Sequence, residues 1–274
     1  MKKVCILLMM ILPWMNSNAQ ESEKTSDTTT FKLGTMKILM VDQSAPDASN
    51  DTINGDNDND NDGKEEKLAH WDGIDLGVNG FMNANHKTGM TGNLAPYELD
   101  YARSQVWNVN LFETKIKIVK EYVGIVTGLG LSFHGYAFKK NMNLVVNADS
   151  TFSVPDTTID YNKNKLKVTY VQLPVLLEFN TSDDPKRTFH IAGGVLGGYK
   201  IGARLKQKYE VDGDKHVERV AGHYNLNPFQ LSATVRVGYG KFTVFADYAL
   251  TPLFEKNKGP ELYAFSAGVT LVGF

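Results

Sequence analysis

From about Trp71 to Phe274 the chain repeats one pattern, in which apolar residues alternate with polar or glycine residues. A period of two is the mark of a β-strand whose two faces meet different surroundings, because successive side chains point to opposite faces. In 230–239, Leu231, Ala233, Val235, Val237 and Tyr239 share one face, while Gln230, Ser232, Thr234, Arg236 and Gly238 share the other. After Gly240, Phe242, Val244, Ala246, Tyr248 and Leu250 stand against Lys241, Thr243, Phe245, Asp247 and Ala249. In 123–133, Val123, Ile125, Leu129, Leu131 and Phe133 stand against Gly124, Gly128, Gly130 and Ser132. In 167–179, Val171, Leu173, Val175, Leu177 and Phe179 stand against Gln172, Pro174, Leu176 and Glu178. In 190–205, Ile191, Val195, Tyr199, Ile201 and Leu205 stand against Gly194, Gly198, Lys200, Gly202 and Arg204.

A soluble barrel or sandwich carries the same alternation with its apolar face inward, so the two faces must be told apart by crowding. Here the polar face is rich in glycine and poor in long side chains. A water-facing surface would carry more Lys and Glu, whereas small residues suit the narrow interior of a small barrel. The apolar face is therefore placed against lipid and the polar face in the lumen. Composition (42% hydrophobic, net charge −2) does not decide between membrane and secreted protein. It does argue against a strong nucleic-acid binder.

Strands are expected near 72–82, 104–118, 121–136, 166–180, 188–206, 223–239, 241–251 and 261–274. The connections between them alternate in length. Those at 83–103, 137–165, 207–222 and 252–260 are long or polar; those at 119–120, 180–187 and Gly240 are short. Long outer loops, short periplasmic turns and an even strand count of about eight predict an all-β fold, an antiparallel up-and-down transmembrane β-barrel. The strand at 104–118 is the least regular, because Glu113, Lys115 and Lys117 spoil its apolar face; a bulge or an extension beyond the bilayer is expected there. Trp71, Trp107, Tyr136, Phe138, Tyr170, Tyr248 and Phe254 lie toward strand ends, as interfacial girdles require. Phe274 is the kind of terminal aromatic residue that barrel-insertion machinery recognises. It falls one residue out of step with Tyr263, Phe265, Ala267, Val269 and Leu271, and a kink at Gly273 is expected to restore it.

The first nineteen residues read as a secretory signal: Lys2 and Lys3, then the apolar run Val4–Leu12, then Ser17-Asn18-Ala19, with a mature start at Gln20. The apolar run is too short to span a bilayer as a helix. Cys5, the one cysteine of the chain, falls within it, so the mature protein is expected to have no disulfide, thiolate metal site or cysteine nucleophile. Residues 20–70 read as a flexible periplasmic leader, with a strand or small hairpin expected around Gly34-Thr35. An acidic tract, 51–66, follows. Within it Asp58, Asp60 and Asp62 alternate before Gly63 in the sequence DNDNDG, the opening of a calcium loop in which alternate carboxylates face one hard cation. Such a loop ends on a bidentate Glu at its twelfth position, which here is Ala69. A weak calcium site and a solvated linker are the two readings of this tract; no other cofactor is expected.

The motifs HWDGIDLGVN (70–79), TGLG (127–130), YVQLPVLLEF (170–179), RVGY (236–239) and DYALTPLF (247–254) resemble those of the Bacteroidetes outer-membrane β-barrel proteins known as porin-like or PorT-like. The resemblance covers the barrel and part of the leader. It implies an outer-membrane barrel, in a family without a shared catalytic site, so no functional residue follows from it.

Parity alone places Asp75, Glu178, Lys200, Arg204, Arg236 and Asp247 in the lumen. Opposite charges there must pair, since a lone charge in a narrow barrel is costly. A structural ionic plug is one reading and a gated polar path the other. An eight-stranded interior is just wide enough for side chains to fill, which argues against a constitutive pore. His134, His190, His216, His223, Ser132 and Asp160 are available for an enzyme acting on lipid or peptide, but none stands in a nucleophile elbow, metal-ligand spacing or triad, and an enzyme is not expected. The expected role is structural or surface-binding. The expected partners are outer-membrane lipid, the insertion machinery and an extracellular or periplasmic ligand met through the long connections around Asp156, Asp160, Lys163 and Lys165 and around Asp212, Asp214, Lys215, His216 and Glu218.

Overall fold

The computed structural model describes residues 28–33, 36–41, 69–184 and 186–272. The signal segment, Asp58, Asp60, Asp62 and Phe274 lie outside the described residues. Within the leader, β1 (Thr28–Leu33) and β2 (Met36–Val41) pair antiparallel, with Thr28 opposite Val41 and Leu33 opposite Met36. This is the small hairpin expected around Gly34-Thr35.

The main unit is built from β3 (Gly73–Asn83), β4 (Gln105–Val119), β5 (Val123–Ala137), β8 (Tyr161–Asn180), β9 (Phe189–Val211), β11 (Phe229–Tyr239), β12 (Phe242–Ala249) and β13 (Leu262–Val272). Each pairs antiparallel with its neighbours, and β13 closes on β3, so eight strands form a ring. Closure matters physically, because a bilayer offers no partner for an open sheet edge. The short turns 120–122, 181–188 and 240–241 lie at one end; Gly240 supplies the positive φ (55°) that the tightest of them needs. The long connections lie at the other end and are not simple loops. One contains the hairpin of β6 (Met142–Val146) and β7 (Thr151–Pro155). In another, β10 (Asp214–Ala221) folds back along the upper part of β9. Residues 223–228, read as strand from the sequence, instead cross inward as a loop before β11.

Apolar side chains face out, as the alternation predicts. Leu173, Val175, Leu177 and Phe179 of β8, Ile191 and Val195 of β9 and Leu231 and Val235 of β11 are all exposed, while their polar neighbours in sequence are buried. Of the register shifts along the ring, three bear on which residues face in. In β4 the register passes from Asn110 opposite Gly130 to Phe112 opposite Leu129, leaving Leu111 extra. Before it Val106, Asn108 and Asn110 face in; after it Glu113 and Lys115 do, and Phe112, Ile116 and Ile118 face out. The expected bulge thus keeps Glu113 and Lys115 of an irregular strand away from lipid. In β13 the register shifts between Thr270 and Val272, at Leu271; Gly273, where the kink was expected, lies outside the described residues.

The third bulge overturns a sequence expectation. Between β8 and β9, Tyr170 faces Lys200 and Thr169 faces Gly202, so Ile201 is the extra residue. Beyond it the faces exchange. Leu205, grouped with the lipid-facing residues from sequence, is buried inside, and Arg204, placed in the lumen from sequence, turns outward. The aromatic girdle is corrected in the same way. Trp71, Tyr136, Phe138, Tyr170 and Phe254 are buried inside the barrel or under its loops. Exposed aromatic residues include Trp107, Phe133, Tyr199 and Phe229 toward the long-loop end and Phe179, Phe189, Tyr239 and Phe242 toward the short-turn end.

Candidate functional site

The interior divides into two levels. The lower level, near the short turns, centres on Asp75 of β3, a fully buried carboxylate. It accepts a hydrogen bond from Thr270 Oγ1 of β13 (2.8 Å) and others from Nδ2 of Asn108 (3.3 Å) and Asn110 (3.1 Å) of β4. Arg236 of β11 reaches across the lumen to it, with Nη2 at 2.6 Å and Nη1 at 3.5 Å. The guanidinium is also held by rings: it stands 4.5 Å from the centroid of Trp71 and 5.4 Å from that of Phe245. Such cation–π contacts gain weight when desolvated.

Trp71 precedes the first barrel strand and is completely buried, packed with Ala69, Val126, Leu176, Ala192 and Leu196. The chain thus enters the lumen before it joins the wall. Gly128 makes this possible: a Cβ there would stand 3.1 Å from Trp71 Cδ1 and 2.0 Å from the Phe112 carbonyl oxygen. Glu113 holds the entering segment, accepting hydrogen bonds from the backbone N–H groups of Trp71 (2.9 Å) and Asp72 (3.1 Å). A neighbouring carboxylate, Glu178, accepts from Lys115 Nζ (3.0 Å), Asn180 Nδ2 (3.1 Å) and the His70 N–H (3.2 Å). The His70 ring stacks on His190 with centroids 3.6 Å apart, and His190 Nε2 lies 2.9 Å from Thr243 Oγ1.

Asp247 also faces in, but it accepts from two hydroxyls, Thr234 Oγ1 (2.5 Å) and Ser266 Oγ (3.1 Å), rather than from a cation. Lys200 faces in at the other level and donates to the carbonyls of His223 and Leu226, not to a carboxylate. Of the six residues that parity placed in the lumen, five are therefore inside, Asp75 and Arg236 form a pair, and Arg204 is outside. Sequence reading missed Glu113 and Lys115, whose inward turn depends on the bulge at Leu111, and Trp71 and His70, which belong to no strand.

The upper level is apolar. Phe81, Tyr136, Leu166, Val168, Tyr170, Leu205, Leu262 and Ala264 from the wall meet Met90, Tyr97, Leu99, Phe138, Met142, Leu144, Tyr224, Leu226, Leu253 and Phe254 from the connections. Four connections thus fold down onto the barrel mouth. The residues weighed for chemistry are dispersed. Ser132 Oγ and His134 Nε2 lie 2.9 Å apart on β5, with Ser132 donating to Asn108 Oδ1 at 2.6 Å. Asp160 instead accepts from Asn141 in a connection, and His216 stacks on Tyr209 of the β9–β10 hairpin. Among the described residues no cluster of three or more His, Cys, Asp or Glu side chains is placed to hold a metal ion.

A closed antiparallel ring with an apolar outer belt and a polar lower interior defines an outer-membrane β-barrel protein. A family model described as an outer membrane protein beta-barrel domain matches residues 72–255, and the chain belongs to that family. The protein resides in the outer membrane. Comparison with curated proteins and with solved structures returns no match.

Proposed function

We propose that this protein is a closed barrel with a structural or surface-binding role, exported by its first nineteen residues and akin to the porin-like barrels of Bacteroidetes. One observation carries this reading: side chains occupy the lumen at both levels. Below, Trp71, Arg236 and Asp75 stack and pair across it; above, Leu226, Phe254 and Tyr136 lie in the apolar layer. Opening a path would require uncovering the lower charges and exposing the upper apolar residues together. Binding is then left to the surface that rises from the long-loop end, where β9 and β10 form a hairpin. The test is conductance of the purified protein in planar bilayers. Steady current near the bare-membrane level is expected; large, stable openings would overturn the reading in favour of a channel.

A further inference from the structure

The outer surface of β5, β8, β9 and β10 carries a second feature, which the bulge at Ile201 creates. Read along the strand pairings, Trp107, Phe133, Thr169 and Gly202 form one outward rung. The rung above it is Gln105, Gly135, Lys167, Arg204 and Ala221. Next come Ala137, Lys165, Lys206 and Arg219, and then Lys163 opposite Lys208. Below the first rung the same strands show Leu131, Val171 and Tyr199 and then the exposed apolar belt. Seven cations thus stand together immediately above the lipid-facing band. Like charges on directly opposed positions destabilise a sheet, and no carboxylate among the described residues forms an ion pair with any of the seven. On this face the nearest acid along β9 is Glu210, which stands opposite Lys215 beyond the ladder. Glu218 stands opposite the buried Gln207 and accepts from the Tyr209 hydroxyl.

The ladder also borders a groove. A hollow of about 370 Å³ opens between Trp107 and Phe133 at its base and Lys165, Lys167 and Arg204 at its rim. It exists because Gly135 and Gly202 have no side chains: a Cβ at Gly135 would stand 3.1 Å from Lys165 Cδ, and one at Gly202 would meet nothing within 4 Å. A second hollow of about 200 Å³ adjoins it and shares Gln105 and Lys165, with Arg103 and Lys163 on its border.

We infer that this groove binds the phosphate group of an anionic membrane lipid in the leaflet on the long-loop side. The lipid's acyl chains run down past Trp107 and Phe133 over the apolar belt, and its phosphate oxygens accept hydrogen bonds from Lys165, Lys167 and Arg204. Each element has a physical reason. Arg and Lys bind phosphate through charge-assisted hydrogen bonds, and clustered basic residues at a membrane surface favour anionic lipid. Aromatic residues sit at headgroup depth. A soluble anion would satisfy the charges but leave the apolar base of the groove empty.

The test uses the mature protein from Gln20, whose two tryptophans are Trp71 and Trp107, reconstituted in zwitterionic vesicles doped with brominated lipid, a quencher of nearby tryptophan. Trp107 reports the groove, and Trp71, buried in the lumen, serves as the shielded background. At equal mole fraction a brominated anionic phospholipid is expected to quench as though enriched about fivefold around the protein relative to its zwitterionic counterpart. The preference should disappear in K165Q/K167Q/R204Q. It should also fall in Gly202→Phe, which keeps every charge and fills the groove. Heat-dependent gel mobility verifies that each variant is folded. Equal quenching by the two lipids, or a preference that survives both variants, overturns the proposal. Inorganic phosphate at millimolar concentration is the remaining arm: if it abolishes the preference, the site is a free-anion site and the lipid assignment fails.

Discussion

The two levels of the interior close one barrel by opposite means. The lower level places ionised groups where water is scarce and satisfies them: Asp75 has five donor contacts from four residues, and Glu178 and Glu113 share the remaining cations and entering amides. The upper level brings apolar side chains from four connections onto the mouth of the ring. The lower arrangement is directional, so losing one partner leaves another stranded. The upper is a packing problem, in which a lost methyl group leaves a void but no orphaned charge. Specificity of closure lies below, and bulk burial lies above.

Removing one half of the buried pair should show the largest difference. Asp75→Ala leaves Arg236 uncompensated and is expected to cost about 3–5 kcal/mol, whereas an Asp75→Leu/Arg236→Met double variant should lose much less. Urea titration of the heat-sensitive gel band measures both, and equal losses would show that pairing does not hold the lower level. In the upper level Leu226→Ala is expected to cost about 2–4 kcal/mol through the cavity it leaves. That loss should not change between low and high salt. A salt-dependent loss would erase the distinction between the levels.

A smaller effect tests how the entering chain is held. Glu113→Gln weakens the charge-assisted bonds to the Trp71 and Asp72 amides, at a cost of about 1.5–3 kcal/mol. The fluorescence of Trp71 should shift to the red as the segment loosens, and an unchanged spectrum would assign the hold to stacking on Arg236 alone. The smallest effect lies outside the membrane. Asp156, in the connection after β7, accepts from the hydroxyls of Tyr161 and Thr158 and from the amides of Thr158 and Ile159. These bonds, the Tyr161 hydroxyl first, hold its carboxyl down at about 2. A depressed carboxyl stabilises above its unfolded value, about 3.9, and the contribution is lost as pH falls toward 2. Protection of the Thr158 and Ile159 amides from hydrogen exchange, taken relative to their intrinsic rates at each pH, should therefore fall across that window in the wild type and be flat in Asp156→Asn.

The alternation made the wall legible because lipid and lumen impose opposite demands on neighbouring residues. Asp75, Glu178, Arg236 and Asp247 were found by parity and do face in. Parity fails where one extra residue enters a strand, and nothing local in sequence fixes which residue is extra. Leu111 and Ile201 are ordinary strand residues, yet they decide the faces of Glu113 and Lys115 and of Arg204. The upper layer was hidden for another reason. Met90, Tyr97, Leu99, Met142, Leu144, Leu226 and Leu253 lie in segments dominated by turn and polar residues, and their burial comes from contacts distant in sequence. Trp71 was legible as an interfacial aromatic, but its lumenal place depends on Gly128, far along the chain.

The surroundings of Asp75 also order events in time. Its carboxylate lies on the first strand of the ring, but its donors come from β4, β11 and β13, the last lying 195 residues away. Until β13 reaches β3, that charge has lost water without gaining its full complement, a state that a hydrocarbon environment penalises heavily. The first strand therefore cannot settle into the bilayer early and wait for the others. Its commitment to the membrane and the sealing of the seam are one event, and the residue that joins them is wholly buried in the finished barrel.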